Sequence, residues 1–341
     1  RSRLREAGWF GQAEIAEPNL AEFLDLVAVG TVADMVTLDR NNRILVAQGL
    51  ARIRGGRARP GVRALIEVAG RDPANLGARD LGFSVAPRLN AAGRLEDMTV
   101  GIECLMTEDA DYARRLAGQL DEINRKRREM QSDMVQQAEA AVADMRLDAV
   151  PDGIALFDES WHQGLVGLIA SRVTELTGRP SIAFAPAGDD ELKGSARSVS
   201  GVHIRDVLAA IDVDHEDVMA RFGGHAMAAG LTLEAEAYGA FAEAITAVAA
   251  AGSSEDALAR RILSDGALPP EHMSLPVARL LRDALPWGQG FEEPCFDDRF
   301  ELIEQRRLKE LHLKLKLKPV AGGAPVEAIA FHQADTHWPT G

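Results

Sequence analysis

Along residues 20–36, apolar side chains recur at Leu24, Val27, Ala28, Val32 and Met35. That spacing predicts a buried helix with Asp34 near its end. "LDRNNRILVAQGLARIRGG" (38–56) continues as a polar turn and an amphipathic helix that Gly55 and Gly56 stop. "GVRALIEVAG" is another short helix, and "LGFSVAPRLNAAGRLED" (81–97) is a segment punctuated by glycine. Between 108 and 146 the pattern is clearest. Tyr112, Leu116, Leu120, Ile123, Met130, Met134 and Ala138 fall close to a 3.5-residue repeat. Thr107 can cap this helix, and Glu108 and Asp109 suit its first turn. Its roughly 58 Å exceeds one small domain and predicts a bridge between two.

From 150 the texture becomes alternating α/β. "GIALF", "SIAFAP" and "KGSARSV" read as strands. "GLVGLIASRVTELTG" reads as a helix ended by Gly178, and "HIRDVLAAI" as another. "AMAAGLTLE" leads into a strand, and residues 236–251 close the unit as an alanine-rich helix. A linker, "AGSSEDA", follows. After it "ILSDGAL", "FDDRFELIEQRR", "LHLKLKLKP" and "VEAIAF" alternate as strands of a small β-barrel or sheet do.

The 341 residues suggest two or three domains. Hydrophobic content of 46% and charged content of 26% are those of an ordinary globular protein. No apolar run approaches the roughly 18 residues of a membrane span, so no membrane partner is expected. Cys104 and Cys295 stand far apart with no CxxC, which fits a reducing cytoplasm. The chain begins with Arg1 and breaks off just after a strand-like run, as an internal piece of a longer protein would. A net charge of −14 argues against steering to nucleic acid by the overall field, but a local basic groove can still bind phosphate.

Five places could carry chemistry. Asp34 lies among apolar neighbours, where a buried carboxylate is costly unless it is paired or holds a metal; a helix-terminal Asp bonded to backbone fits as well. Arg88, Asn90 and Arg94, around Ala-Ala-Gly, can clamp a phosphate, or be a solvated surface loop. His162 sits at a strand-to-helix junction, either beside an anion site at the helix start or simply as its cap. Lys193, Ser195 and Arg197 share one face of a strand. "RFGGHAMAAG" (221–230) sets Gly223 and Gly224 before His225, either as a tight turn or as a backbone that another molecule approaches closely. Two basic runs carry less. "NRKRRE" in the long helix reads as a solvated face. Lys314, Lys316 and Lys318 share a strand face that an edge-strand charge guard explains equally well.

Together and in order, "VAVGTVADMVTLDRNNR", "APRLNAAGRLED", "WHQGLVGLIASRV", "KGSARS" and "FGGHAMAAG" resemble the motifs of the RecJ family of single-strand-specific DNA exonucleases, in the DHH phosphoesterase superfamily. "LPWGQGFEEPCF" and "LHLKLKL" resemble that family's C-terminal OB-type domain. The resemblance implies an α/β protein: the C-terminal part of a DHH domain (1–107), a long connecting helix (108–147), an α/β DHH-associated domain (148–252) and a partial OB-type β-barrel (258–341). It implies metal-dependent 5′→3′ hydrolysis of single-stranded DNA in repair and recombination, with two divalent ions, Mn2+ or Mg2+. Asp34 matches a metal ligand. Arg88, Asn90, Arg94 and His162 match the catalytic cleft. Ser195, Arg197, Ser198, Gly223, Gly224 and His225 match the phosphate pocket. No "DHH" occurs here, so the remaining metal ligands are expected upstream and this piece alone is expected to be inactive. Expected partners are single-stranded DNA, a single-strand-binding protein and a helicase, around a cytoplasmic monomer. Two alternatives stay open: a phosphodiesterase for oligoribonucleotides or cyclic dinucleotides, and a DNA-binding scaffold without catalysis.

Overall fold

The computed structural model describes residues 1–144, 151–188, 190–215, 218–252, 263–334, 336, 338 and 339. Most of the expected linker 251–257, the end of the expected long helix at 145–147 and the first residues of the expected third domain lie outside them. Contacts divide the chain into two compact units. One comprises Arg1–Pro87, Ile102–Ala117 and Ile262–Gly341, and the other Arg88–Gly101 and Gly118–Arg261. The units are therefore interleaved in sequence, and the long helix contributes residues to both.

The first unit opens with two short helices, α1 (Ser2–Glu6) and α2 (Trp9–Gln12). A 3-10 turn, Leu20–Phe23, leads into α3 (Leu24–Ala33). Asp39 caps α4 (Arg40–Arg54) by accepting from the Asn42 N–H at 2.8 Å, and Gly56 at φ +70° follows its end. α5 (Pro60–Val68) begins on proline, whose missing N–H costs nothing there. Ala28, Val29, Val46, Leu50, Ile53, Val62, Leu65 and Ile66 are buried among these helices. Glycine is required at 49, because a Cβ there would lie 2.2 Å from the Leu24 carbonyl oxygen.

Asp34 corrects the expectation of a buried carboxylate: it follows α3 and is exposed. The buried acid of α3 is Asp25, at 0% exposure. It accepts from the Arg59 N–H at 2.7 Å and the Leu26 N–H at 3.0 Å. Removing it strands both donors, so Asp25→Ala should cost about 1–3 kcal/mol. Urea unfolding checks this, and an unchanged midpoint would show that the two N–H groups find other partners.

The glycine-punctuated segment is not a loop. A short helical turn α6 (Ala78–Asp80) runs through a π-turn (Leu81–Val85) into α7 (Ala86–Leu95). Leu81, Val85, Ala91 and Ala92 bury the inner side of this run. α8 (Thr99–Met106) and α9 (Ala110–Asp144) follow. The 35 residues of α9 span roughly 52 Å. Its cap is Asp109 rather than Thr107. The Asp109 carboxylate reaches the N–H groups of Asp111 (2.8 Å) and Tyr112 (3.0 Å), while Thr107 Oγ1 accepts from the Asp109 N–H.

The second unit holds a five-stranded sheet: β1 (Ile154–Phe157), β2 (Ser181–Pro186), β3 (Glu191–Arg197), β4 (Arg221–Gly224) and β5 (Ala228–Glu234). The order is β1-β2-β3-β5-β4. β1 and β2 are parallel and the other pairs antiparallel. Successive residues of β2 face opposite ways and are buried on both sides. Ile182 and Phe184 enter a core with Leu208 and Ile211 of α11 (Ile204–Asp214) and Phe241 of α12 (Tyr238–Gly252). Ala183 and Ala185 enter another, with Ile169 and Val173 of α10 (Val166–Thr177) and Met134 and Ala138 of α9. Gly178 ends α10 at φ +69°, as expected.

In the C-terminal stretch, described residues 263–268 form no strand. This stretch still meets 295–297 through backbone, with the Asp265 N–H donating to the Cys295 carbonyl (2.7 Å) and the Asp297 N–H to the Gly266 carbonyl (3.2 Å), and the Asp265 carboxylate adds a bond from the Cys295 N–H. After α13 (Leu275–Ala284), strands β6 (Phe300–Leu308), β7 (His312–Pro319) and β8 (Val326–Ala330) form an antiparallel sheet, fitting a partial OB fold. β7 is its central strand, so the lysines at 314, 316 and 318 guard no edge. Leu313 and Leu315 are buried opposite them, and Lys314 pairs with Glu327 at 2.7 Å.

Candidate functional site

Alternation along β3 turns Leu192, Gly194 and Ala196 into the core and leaves Lys193, Ser195 and Arg197 on the other face. A Cβ on Gly194 would strike the Phe184 ring at 2.4 Å, which fixes glycine there. The register then builds rows across three strands. Lys193 lies beside Thr232, which lies beside Arg221, and Ser195 beside Gly230, which lies beside Gly223. A Cβ at Gly223 would meet nothing within 4 Å. Packing does not require glycine there, and its absence of a side chain keeps the floor open. A cavity of about 400 Å³ sits over these rows, lined by Gln163, Lys193, Ser195, Arg221, Gly223 and Thr232 among others.

Its cations are held by neutral acceptors. Lys193 Nζ donates to Gln163 Oε1 at 3.1 Å, and Arg221 Nε to Thr232 Oγ1 at 3.2 Å. Arg197, which does not line the cavity, is tied to it through Ser195: its Nη1 donates to Ser195 Oγ (3.1 Å) and to the Ala196 carbonyl (2.9 Å). The start of α10 rests on this pair: a Cβ on Gly167 would come within 3.0 Å of Arg197 Nη2 and of Ser195 Oγ. Burial, and then the nearby Arg94, hold the Arg197 pKa below its ordinary value. Arg94 Nη1 donates to the Gly164 carbonyl at 3.3 Å. Partly desolvated guanidiniums near one another, bonded to neutral groups, form a ready place for an anion.

The other residues singled out from the sequence fall in different places. Arg88 is buried and pairs with Asp121 of α9 at 2.6 Å, while Asn90 is exposed. At about 100° per residue, Asn90 and Arg94 share one face of α7, whereas Arg88 leaves the helix about 200° from Asn90, toward Asp121, so the three do not close as one clamp. His162 Nδ1 accepts from the Gly164 N–H at 3.1 Å, a turn ahead of α10; the N-cap of that helix is Leu165, which no side chain caps, so His162 is not its cap. Ser198 Oγ donates to the Val202 carbonyl at 2.7 Å and is buried. Gly224 does not line the cavity. At φ +154° it brings β4 against β5, where a Cβ would lie 2.5 Å from the Ala228 carbonyl oxygen. His225 is exposed, and its N–H closes the hairpin on Ala228.

Arg221, Thr232 and Gln163 escape the sequence reading, although the period-two pattern of the strands carries the first two. Arg127 departs from the solvated face that its basic run predicts. It is half-buried, whereas its neighbours Arg125 and Lys126 are exposed. The signal is present in the chain: Arg127 continues the buried stripe of Leu116, Leu120 and Ile123 at helical spacing. For a metal, the residues offer little. Among the described residues no group of three His, Cys, Asp or Glu could hold an ion, so Asp34 forms no metal centre with its neighbours.

Comparison with known proteins agrees with this architecture. Residues 149–251 match the DHHA1 domain model, and residues 264–340 the RecJ OB domain model. The single-stranded-DNA-specific exonuclease RecJ of Salmonella typhimurium is 51% identical over 343 residues. That alignment covers 99% of this chain and 59% of the relative, so the chain spans about three fifths of that protein's length. Crystal structures of RecJ from Thermus thermophilus with Mg2+ and with Mn2+ each superpose with a TM-score of 0.79 at 33% identity. They cover 97% of this chain, which in turn covers 49% and 47% of theirs. Residues 149–251 are a DHHA1 domain and 264–340 a RecJ OB domain, and along nearly its whole length the chain is similar to RecJ proteins.

Proposed function

We propose that this chain carries the strand-holding part of a single-stranded-DNA-specific exonuclease that acts 5′→3′ in DNA repair and recombination. The observation that carries the reading is the face of β3, β4 and β5, where Lys193, Ser195 and Arg221 line a cavity with a glycine floor, Arg197 is braced on Ser195, and among the described residues Lys193, Arg197 and Arg221 are bonded to neutral acceptors only. The RecJ proteins it resembles are named for single-stranded DNA. In this reading Arg197 and Ser195 hold the 5′-terminal phosphate, Arg94 adds charge, and Gly223 and Gly230 let the strand lie against the sheet. Held there, the strand is presented one step at a time. The OB sheet offers the lysine face of β7 as a further surface for it. Divalent ions, two of Mn2+ or Mg2+, would supply the hydrolytic chemistry, and Asp34 is the one candidate ligand here. The Thermus thermophilus RecJ structures with Mg2+ and with Mn2+ support the choice of a divalent ion. We place the domains at 1–107, 108–147, 148–252 and 258–341. The working form is a cytoplasmic monomer, served by a single-strand-binding protein and a helicase. Among the described residues no helix is long and apolar enough to cross a membrane.

The test is binding. The 341-residue chain should bind 5′-phosphorylated single strands in preference to duplex, with an affinity that falls as salt rises. Equal binding of both would remove the reading. With Asp34 as the only candidate ligand, the same chain should release no nucleotide from single-stranded DNA in manganese. Chelator-sensitive release would show that a complete centre lies within it.

A further inference from the structure

We propose that Arg127 of the long helix α9 is a third arm of the phosphate site, closing with Arg94 and Arg197 around one terminal phosphate dianion. The proposal rests on the functional reading above and adds a residue from an element that reading leaves out. Arg127 is half-buried, and its Nη1 donates to Gln131 Oε1 at 2.8 Å. Its Nε is buried with no hydrogen-bond partner. A donor left that way is costly in a protein that stands alone. Burial holds the Arg127 pKa below its ordinary value, and the charges of Arg128 and Arg94 push the same way. Arg94 acts on Arg197 in like manner. Geometry brings their elements together: Arg94 reaches the Gly164 carbonyl and Arg197 lies under Gly167, both at the start of α10, while the Arg88–Asp121 pair joins α7 to α9.

The chain does not lack acids to neutralise them. It has 52 Asp and Glu against 38 Lys and Arg. Nearby arginines are paired: Arg88 with Asp121, Arg125 with Glu122, and Arg172 with Glu139. Among the described residues Arg94, Arg127 and Arg197 have neutral hydrogen-bond acceptors only. Repulsion and an unmet donor are features that an arriving anion relieves. A terminal phosphate, with nearly two charges and three free oxygens, relieves them better than a singly charged diester.

The experiment uses the whole protein as wild type, Arg127→Met, Arg127→Lys and Arg197→Ala, with chelator present to stop cleavage. Binding of 5′-phosphorylated and 5′-hydroxyl oligothymidylate is measured, with melting temperature with and without inorganic phosphate. Arg127→Met should weaken binding of the phosphorylated strand about tenfold or more while moving the hydroxyl strand little. Its ligand-free melting temperature should rise, because an unsatisfied, repelled charge is gone, and phosphate should raise it less than it raises the wild type. Arg127→Lys, which keeps the charge but loses the fork, should fall between. A lowered melting temperature with an unchanged phosphate preference in both Arg127 variants would make Arg127 a packing residue and overturn the proposal. If Arg197→Ala loses the preference and the Arg127 variants keep it, this proposal fails and the functional reading stands. If Arg197→Ala keeps it, the functional reading itself fails.

Discussion

Asp34→Ala in the whole protein should lower nucleotide release by about a thousandfold or more while single-stranded DNA still binds. The magnitude follows from the several kcal/mol that a catalytic metal contributes, at about 1.4 kcal/mol for each tenfold in rate. The structure sharpens this expectation. Asp34 is exposed at the end of α3, and the carboxylate that holds this helix in place is Asp25. Exposed substitutions away from special features move stability by roughly 0.5 kcal/mol or less. The melting temperature should therefore stay near that of the wild type, and loss of turnover would report chemistry rather than folding. Three measurements on one preparation check it: release of mononucleotides, thermal unfolding, and anisotropy of a labelled single strand. Near-normal turnover in a folded variant would reduce Asp34 to an ordinary helix end.

Arg197→Ala should erase most of the preference for a 5′-phosphorylated over a 5′-hydroxyl single strand. A charge-assisted contact to a terminal phosphate contributes about 1.5–3 kcal/mol, roughly 10- to 150-fold in affinity. The residue is well placed for such a contact. Its guanidinium is partly buried, braced on Ser195 and packed under Gly167 at the start of α10. Removing it should leave the hydroxyl strand little changed, since that strand lacks the group Arg197 is proposed to grip. The comparison therefore reads a ratio, and a general loss of folding would not imitate it. If wild type and variant show the same ratio of affinities for the two strands, the face over β3 reads something other than the 5′ end.

Much of the second unit is legible because a strand has only two faces. Once "KGSARSV" is a strand, Lys193, Ser195 and Arg197 must share a side, and the structure places them so. The α10 helix and its Gly178 stop are equally plain. The "GGH" motif is legible in part. Gly223 belongs to the floor, but Gly224 serves the approach of two backbones, and His225 lies exposed. The segment around Arg88 misleads, because its glycines and proline read as a loop. The alanines that bury its inner side, and the π-turn that precedes it, keep it helical. The alternating lysines of β7 look like an edge because nothing local tells a strand whether it has one neighbour or two.

The sequence by itself determined most elements of the second unit, the alternation that puts a cationic row on β3, the long helix α9 and the likeness to RecJ proteins. These are local properties, set by period, capping and turn chemistry. Only the tertiary structure decided which of the arginines act together. Arg88, Arg94 and Arg127 all lie on helices, where a side chain's direction turns by about 100° per residue and its surroundings depend on the element packed there. Arg88 met Asp121 and was neutralised, whereas Arg94 and Arg127 found carbonyl and amide oxygens and kept their charge available. Spacing along a chain fixes which residues share a face. What that face meets depends on contacts between residues far apart in sequence, and at this site those contacts determine which arginines remain available for an anion.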